Sequence, residues 1–287
     1  MLDDQIVIRA TVDDVSHFAN RRWPDEPSRA LYYYLAESAP NGAVIAKDVD
    51  GARLGVAIGH ACEDEWYLSD LFVEPGVRGN GIGKALMAAA TVDRGDALRS
   101  ALSPAADLAA AAVLAGESMA MRAPVFRMTG SVPREDALLR MAAGDYRFET
   151  HPLDPRRDAS AIAALDRDVR GCARPVDHGY LSKRATGVAF ALRDEFVGYA
   201  YVSPDGRVGP FATASAAYSV QFLAYAFVAL GRSHGATWSS LLVPGPNVRL
   251  MRASLRAGLA IADVRVFCAE GATADLSRYA GYHDLLF

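Results

Sequence analysis

The chain has 287 residues, of which 51% are hydrophobic and 22% are charged. The length predicts about two domains, and the composition excludes a disordered chain. The formal net charge of −4 disfavours a general nucleic-acid-binding protein, which would carry a strongly basic face. Cys62, Cys172 and Cys268 lie far apart and none has a second ligand at metal-binding spacing, so we expect reduced thiols and no metal.

The apolar segments are too short to cross a membrane. "FLAYAFVALG" and "LAAAAVLAG" fall well below the roughly 20 residues that a span needs. "MLDDQIVIRA" carries acids and no long apolar run, which argues against a secretory signal. We therefore expect a cytoplasmic protein, monomeric or homodimeric, that binds neither membranes nor nucleic acid.

The first half predicts a strand, two helices and a run of strands. In chain order these are "IVIRA", the helices "TVDDVSHFANRRW" and "SRALYYYLAESAPNG", and the strands "AVIAKD", "LGVAIGHAC" and "EWYLSDLFV". A glycine-rich loop, the helices "GKALMAAATVDRG" and "SPAADLAAAAVLAG" and the strand "APVFRMTG" follow. Residues 131–145 are charged and helix-prone, which suits a linker.

The second half repeats this order. Its predicted strands and helices are "YRFETHPL", "DASAIAALDRDVRG", three strands in "GVAFALRDEFVGYAYVSPDGRVGPFAT", "SVQFLAYAFVALGRS", "TWSSLLVP", "NVRLMRASLRAGL", "VRVFCA" and "YHDLLF". "LGVAIG" corresponds to "VGYAYV", and "LSDLFV" corresponds to "GRVGPF". This repetition indicates duplication of a whole domain. The predicted organisation is a first domain over 1–130, a linker over 131–145 and a second domain over 146–287.

The loop after "EWYLSDLFV" has the composition of an anion-binding site. Glycines leave main-chain N–H groups unobstructed, and the following helix start adds a partial positive charge. A P-loop is excluded because Arg78 stands at its first glycine position and Ala85 at its hydroxyl position. A dinucleotide fingerprint is excluded because Lys84 or Leu86 stands at its last glycine position. A nucleotide-dependent kinase is therefore disfavoured.

The spacing that the loop does satisfy is [QR]-x-x-G-x-[GA], from Arg78 to Gly83, between "LFVEP" and "KAL". Here the chain resembles the GNAT superfamily of acyl-CoA-dependent N-acyltransferases, in a tandem-domain bacterial form. The resemblance implies two GNAT-like domains of mixed α/β fold, each a mostly antiparallel splayed sheet flanked by helices. It implies acetyl-CoA as co-substrate, no metal, and cofactor-binding residues Leu71, Phe72, Val73, Arg78, Gly79, Asn80, Gly81, Ile82, Gly83 and Lys84.

The resemblance also implies a carboxylate base on or beside the strand before the loop. The candidates are Asp64, Glu65 and Asp70. Glu65 ranks first because it shares strand alternation with Tyr67 and Leu71. Many family members place a tyrosine acid where this chain has Leu114, and leucine cannot protonate a thiolate. Either the thiolate leaves unaided, since a thiol pKa is about 8.5, or Tyr67 donates the proton.

The second half lacks these features at the corresponding place. After "GPF" the sequence reads "ATASAAYSVQFL", with no glycine pair and no basic residue, which predicts weak or no acyl-CoA binding. Arg170, Arg174, Asp177 and His178 are expected to form a structural capping and ion-pair cluster. The histidines His17, His60 and His234 are isolated in sequence.

Two functions follow from these observations. The resemblance implies transfer of an acetyl group to a primary amine of a small-molecule acceptor, by direct attack in a ternary complex. The alternative is a non-catalytic acyl-CoA-binding sensor or regulatory module. A titratable group within reach of the thioester separates the two.

Overall fold

The computed structural model describes residues 5–38, 42–271 and 275–287. The end of the second predicted helix, residues 39–41, lies outside this range. The chain divides into two compact units. Unit 1 comprises residues 1–120 with 268–271, and unit 2 comprises residues 121–267 with 272–287. No helix in the described ranges is long and apolar enough to cross a membrane.

Unit 1 contains five strands and four helices in its described part. They are β1 (Gln5–Arg9), α1 (Val12–Arg22), α2 (Glu26–Ser38), β2 (Ala43–Asp48), β3 (Arg53–Cys62), β4 (Glu65–Val73), α3 (Ile82–Ala90), β5 (Leu98–Pro104) and α4 (Leu108–Gly116). The strands lie in the order β1-β2-β3-β4-β5, with β4 and β5 parallel and the other neighbours antiparallel. The sequence prediction lacks β5, a short strand between two helices.

Packing of α3 against the sheet explains its small, apolar sequence. The helix buries Ile82, Leu86, Met87 and Ala90 along one side. It lies over β3 at Gly55, where an added Cβ would come within 2.5 Å of the Phe72 carbonyl oxygen and 3.1 Å of Leu86. The helix and β4 therefore approach β3 closely, which fixes the start of α3 beside the end of β4.

An extra residue in β4 changes which side chains share a face. The pairing of β3 with β4 shifts at Ser69 and resumes at Asp70. Such a bulge reverses the alternation of the strand beyond it. Glu65 and Tyr67 lie on one face, as expected, and Asp70 joins them. Leu71 lies on the opposite face, so its predicted alternation with Glu65 is wrong.

Unit 2 contains most of the remaining elements. They are β6 (Ala120–Ser131), α5 (Glu135–Ala142), β7 (Glu149–Pro152), α6 (Ala159–Val169), α7 (Pro175–Leu181), β8 (Thr186–Leu192), β9 (Glu195–Val202), β10 (Val208–Thr213), α8 (Ser219–His234), β11 (Trp238–Pro244), α9 (Val248–Arg256), β12 (Ala260–Ala269) and β13 (Tyr279–Ala280). One sheet has the order β13-β10-β9-β8-β7. Residues 282–287, predicted as a strand, form a turn with an isolated bridge between His283 and Leu286.

The two units repeat one order of elements. The series α1-α2-β2-β3-β4-α3-β5-α4 recurs as α6-α7-β8-β9-β10-α8-β11-α9. The predicted mixed α/β fold in two tandem domains is confirmed.

Each unit also holds a segment from the other half of the sequence. Strand β6 pairs antiparallel with β11, from Ser131 to Val125, and therefore lies in unit 2. Helix α5 occupies the predicted linker, and Gln221 of α8 donates a hydrogen bond to its Ala142 carbonyl. In unit 1 the Glu270 N–H donates to the Arg99 carbonyl at 2.9 Å. The domain boundaries predicted at residues 130 and 146 stay a prediction. The two compact units divide instead after residue 120, and unit 1 also takes in residues 268–271.

Candidate functional site

Strands β4 and β5 of unit 1 separate part of the way along their length. They pair from Glu65 to Leu68 of β4, against Leu98 to Ala101 of β5. In the described part of the chain, no residue of β4 beyond Leu68 pairs with β5. An open strand edge offers main-chain N–H and C=O groups to a ligand that carries amides. The edge lies directly before the glycine loop.

The loop turns through two glycines into α3. Gly79 has φ +84° and Gly81 has φ +79°, in the left-handed region that favours glycine. Helix α3 begins at Ile82, and its first main-chain bond runs from the Ala85 N–H to the Gly81 carbonyl at 3.0 Å. The N–H groups of the first helical turn have no partner within the helix. Together with the helix dipole they form an anion cradle.

A cavity of about 240 Å³ lies between this cradle, the end of β4 and the start of α4. Its lining is Leu71, Val73, Arg78, Gly79, Gly81, Ile82, Gly83, Lys84, Asp107, Ala109, Ala110 and Val113. All the predicted cofactor-binding residues except Phe72 and Asn80 line it. The ring of Phe72 instead contacts Phe18 edge-on, at 5.9 Å between centroids, on the opposite face of β4.

Gly83 indicates that the cavity has space for a ligand. A Cβ added at Gly83 would meet only Val73 Cγ2, at 3.7 Å, which is an ordinary contact. Packing of the protein itself therefore does not require glycine there, and its absent side chain leaves the cradle open. Arg78 is exposed, and its Nε donates to the Val73 carbonyl at 2.9 Å. Arg78 and Lys84 provide two cations beside the cradle.

The face of β4 that carries Glu65 and Tyr67 forms a polar group. Glu65 accepts a hydrogen bond from the Ser100 hydroxyl on β5. His60 lies directly opposite Tyr67 on β3, with the ring centroids 5.9 Å apart. Its Nδ1 lies 3.2 Å from Ser69 Oγ. The structure therefore brings together Glu65, Tyr67, His60, Ser69 and Ser100 on one face of the sheet, along the paired part of β4 and β5 and just beyond its end at Leu68.

The sequence prediction does not include His60 or Ser100 in this group. His60 could have been placed, because the short turn after Cys62 pairs Cys62 with Glu65 and so sets His60 opposite Tyr67. Ser100 could not, because β5 was absent from the predicted strands.

The other two candidate carboxylates have different surroundings. Asp64 is exposed in the turn between β3 and β4. Asp70 is 6% exposed and accepts two hydrogen bonds from Arg22, each of 2.8 Å. Burial raises the pKa of the Asp70 carboxyl above its ordinary value, against the opposing effect of Arg22. Burial, with the nearby Asp70 charge, also raises the pKa of Tyr32 well above its usual range. Asp70 therefore ties α1 to β4.

Leu114 contributes no proton donor near the cavity. It is 3% exposed, on α4, whereas its neighbour Val113 lines the cavity. No group of three or more His, Cys, Asp or Glu side chains within the described ranges is arranged to hold a metal. Metal-free chemistry stays a prediction.

Unit 2 fills the place that corresponds to the open edge. Strands β10 and β11 meet at the isolated bridge between Arg207 and Ser240. Strand β13 pairs with β10, and the Gly281 N–H donates to the Leu242 carbonyl of β11 at 2.9 Å. The chain thus places its own segment between the two strands. Before α8 the loop has Ser215 as a cap and no left-handed glycines.

The predicted structural cluster in unit 2 is buried and includes Asp166. His178 Nε2 lies 2.8 Å from Asp166 Oδ2, and its Nδ1 lies 3.0 Å from the Tyr201 hydroxyl. The Tyr199 hydroxyl donates to Asp166 at 2.5 Å. Arg174 donates to the Phe287 carbonyl at 2.8 Å. Each of these side chains is at least nine-tenths buried, so the cluster joins α6 and α7 to β9.

Comparison with known proteins agrees with this geometry. Residues 8–102 match the acetyltransferase (GNAT) family model. No curated protein matches the chain in sequence. A candidate acetyltransferase from Pyrococcus horikoshii has a similar structure with TM-score 0.75 and 15% identity, over 99% of this chain and 96% of that one.

Two further structures resemble the whole chain. A GCN5-related N-acetyltransferase from Sphaerobacter thermophilus gives TM-score 0.64 at 15% identity, over 96% of this chain and 98% of that one. A tandem GNAT protein from the clavulanic acid biosynthesis pathway gives 0.61 at 16% identity, over 94% and 100%. Identities this low show the fold alone. Residues 8–102 therefore match the acetyltransferase (GNAT) family, and the whole chain has the fold of these GNAT structures.

Proposed function

We propose that unit 1 is an N-acetyltransferase that moves an acetyl group from acetyl-CoA to a primary amine of a small molecule, in a ternary complex. The open edge of β4, which runs directly into a glycine cradle, carries this proposal. The cradle suits a pyrophosphate, and the edge suits the amide groups of the pantetheine arm.

Each part of the cavity has a role in binding. The first N–H groups of α3, Arg78 and Lys84 would hold the phosphates, because free N–H donors and fixed cations are what a pyrophosphate requires. Leu71 and Val73 would contact the pantetheine arm from the strand side. Phe72 would contribute main-chain groups, because its ring packs on the other face.

The polar group around Glu65 supports a proton path. As the amine nitrogen forms its bond to the thioester carbonyl carbon and the C–S bond breaks, the nitrogen must lose a proton. Glu65 would take that proton, directly or through water, with Ser100 fixing its orientation. The leaving thiolate takes up a proton from Tyr67 or from solvent.

Leu114 favours the second candidate function. Because Leu114 is not a proton donor, the same cradle would also suit a non-catalytic acyl-CoA sensor. A sensor binds acetyl-CoA without releasing CoA when amines are supplied. Measurement of thiol release with a panel of primary amines distinguishes the two functions.

A charge inserted into the cradle tests the proposal. Gly83→Glu should lower acetyl-CoA affinity at least about 100-fold. The new carboxylate would lie roughly 4 Å from the phosphates, and the like charges would repel. The same change favours folding, since an acid in the first turn of a helix is stabilising and glycine is a poor helix former. Calorimetric titration of the full chain gives the affinity, and circular dichroism verifies folding.

Gly83→Gln is the matched control. It has nearly the same size without the charge, so its affinity should fall less than about tenfold. Equal loss in both variants would mean that bulk and not phosphate repulsion decides binding. Absence of acetyl-CoA binding by the wild type would refute the proposed function.

A further inference from the structure

A second cavity, in unit 2, is lined by arginines. It has a volume of about 900 Å³ and lies between α5, residues 143–146, the start of α8 and one side of α9 along its length. Arg140 of α5 and Arg249, Arg252 and Arg256 of α9 line it. We call these four residues and the space between them the arginine groove. Its size is within the range of small-molecule sites.

Helix α9 presents its three arginines to one side. At 100° per residue, Arg249, Arg252 and Arg256 lie within a sector of about 60° and extend over about 10 Å of the axis. Leu250 and Ser254, on the other side, are fully buried. The burial of that side holds the helix in place, so the arginines point together into the groove.

The described lining of the groove carries more positive than negative charge. Asp145 is the only acidic residue in its described lining. Arg140 pairs with Asp136 on its own helix at 3.0 Å. No hydrogen bond or ion pair joins the side chains of Arg249, Arg252 and Arg256 to any residue in the described ranges. Like charges so close together repel, and a bound anion would relieve that repulsion.

The chemistry of the lining selects the kind of anion. A guanidinium binds phosphate through paired N–H donors, and several arginines together match several phosphates. Gln221 donates to the carbonyls of Ala142 at 2.9 Å and Tyr146 at 3.1 Å, which holds the wall of the groove in place. The cradle of unit 1 would hold phosphates with main-chain N–H groups as well as side chains, whereas the groove would hold them mainly with arginine side chains.

We propose that the arginine groove binds a small anion with two or more phosphate groups. Such an anion could be a free polyphosphate or the phosphate-bearing part of a coenzyme. The proposal does not depend on catalysis by unit 1.

Titration with inorganic tripolyphosphate tests the proposal on the full chain. We expect saturable binding at least tenfold tighter than that of orthophosphate. The triple variant Arg249→Gln, Arg252→Gln, Arg256→Gln should weaken it at least tenfold. The three side chains are exposed, so this variant should fold, which circular dichroism checks.

The matched control removes the same charge elsewhere. Arg9, Arg156 and Arg232 are exposed, and Arg9→Gln, Arg156→Gln, Arg232→Gln should leave the affinity within twofold. Equal weakening in the control would overturn the proposal, because binding would then reflect overall charge. Loss of binding in Gly83→Glu, with none in the arginine variant, would also overturn it by assigning the anion to unit 1.

Acetyl-CoA distinguishes the two sources of phosphate. Two molecules bound per wild-type chain and one per arginine variant would identify the coenzyme as the anion. One molecule per chain in both, with tripolyphosphate still bound by the wild type, would identify a free polyphosphate. Failure of acetyl-CoA to bind at all would refute the function of unit 1 and leave the tripolyphosphate result unaffected.

Discussion

The two units share one order of elements but treat the same strand edge in opposite ways. In unit 1, β4 separates from β5 and its edge stays open beside a glycine cradle. In unit 2, β13 lies against β10 and the neighbouring Gly281 bonds to β11, and the loop between β10 and α8 has no left-handed glycine. The gap in the sheet is thus a property of the fold, whereas its availability to a ligand depends on a few local residues.

This difference shows how two units with one order of elements can treat the same strand edge differently. An open edge leaves hydrogen-bonding groups unpaired, which is tolerated where a ligand or water can reach them. In unit 2 the chain satisfies the corresponding groups itself, and the aromatic side chain of Phe287 packs against Gly281 and Tyr279. The filled edge adds to the core of unit 2 and covers part of the edge that is open in unit 1.

The largest effect is expected where unit 2 packs its own segment into the gap. Gly209 has φ +139°, and an added Cβ would lie 2.4 Å from the Gly281 carbonyl oxygen. Gly209→Ala should therefore lower the free energy of unfolding by about 4 kcal/mol. Urea denaturation measures this change, and the number of acetyl-CoA molecules bound per chain should stay that of the wild type.

Gly79 provides the control in unit 1. It also has a positive φ, but a Cβ there would meet nothing within 4 Å. Gly79→Ala should cost only about 1 kcal/mol, from the left-handed backbone alone. Similar losses in the two variants would contradict the view that only the gap of unit 2 is filled.

The next effect concerns the proposed chemistry of unit 1, at the paired start of β4. Glu65→Gln should lower kcat for acetyl transfer about 100-fold, because general bases contribute at least this much, while acetyl-CoA affinity stays within twofold. Thiol release over a pH series measures kcat. Asp64→Asn, in the exposed turn, should retain nearly full activity. If Asp64→Asn loses more activity than Glu65→Gln, the assignment of the base is wrong.

A smaller effect concerns α1 in unit 1 and its counterpart in unit 2, α6. In unit 1, Thr11 and Asp14 form a capping box at the start of α1. Asp14 also accepts bonds from Lys47 at 3.0 Å and Arg53 at 2.8 Å. Burial opposes ionisation of Asp14, but these bonds outweigh it and hold the pKa of the carboxyl well below its usual range. In unit 2 the counterpart α6 begins after Asp158, which is paired with an exposed arginine.

Asp14→Asn should lower the free energy of unfolding by about 2 kcal/mol near pH 7, because Arg53 and Lys47 lose a charged partner. A lowered pKa stabilises the folded protein above the unfolded-state pKa of about 4, and this contribution is lost as the pH falls below that value. The wild type should therefore lose stability between about pH 4 and pH 2 more steeply than Asp14→Asn. Thermal unfolding across this pH range measures the difference, and parallel curves would contradict it.

The sequence alone determined the features that depend on neighbouring residues. The loop from Arg78 to Lys84, the helix after it, the repeated order of elements and the loss of the cradle in the second half all follow from local composition and spacing. Glycine, proline and apolar periodicity act within a few residues, so such features can be predicted from one sequence.

Only the tertiary structure decided the features that depend on pairing between distant residues. The bulge at Ser69 moved Leu71 to the other face of β4, and β5 supplied Ser100 to Glu65. The pairing of β6 with β11, the placement of β13 beside β10 and the arginine groove likewise join segments far apart in the chain. Strand register and partner are set by packing against the whole sheet rather than by local preference, and for that reason the open gap of unit 1 and the filled gap of unit 2 appear only in the folded protein.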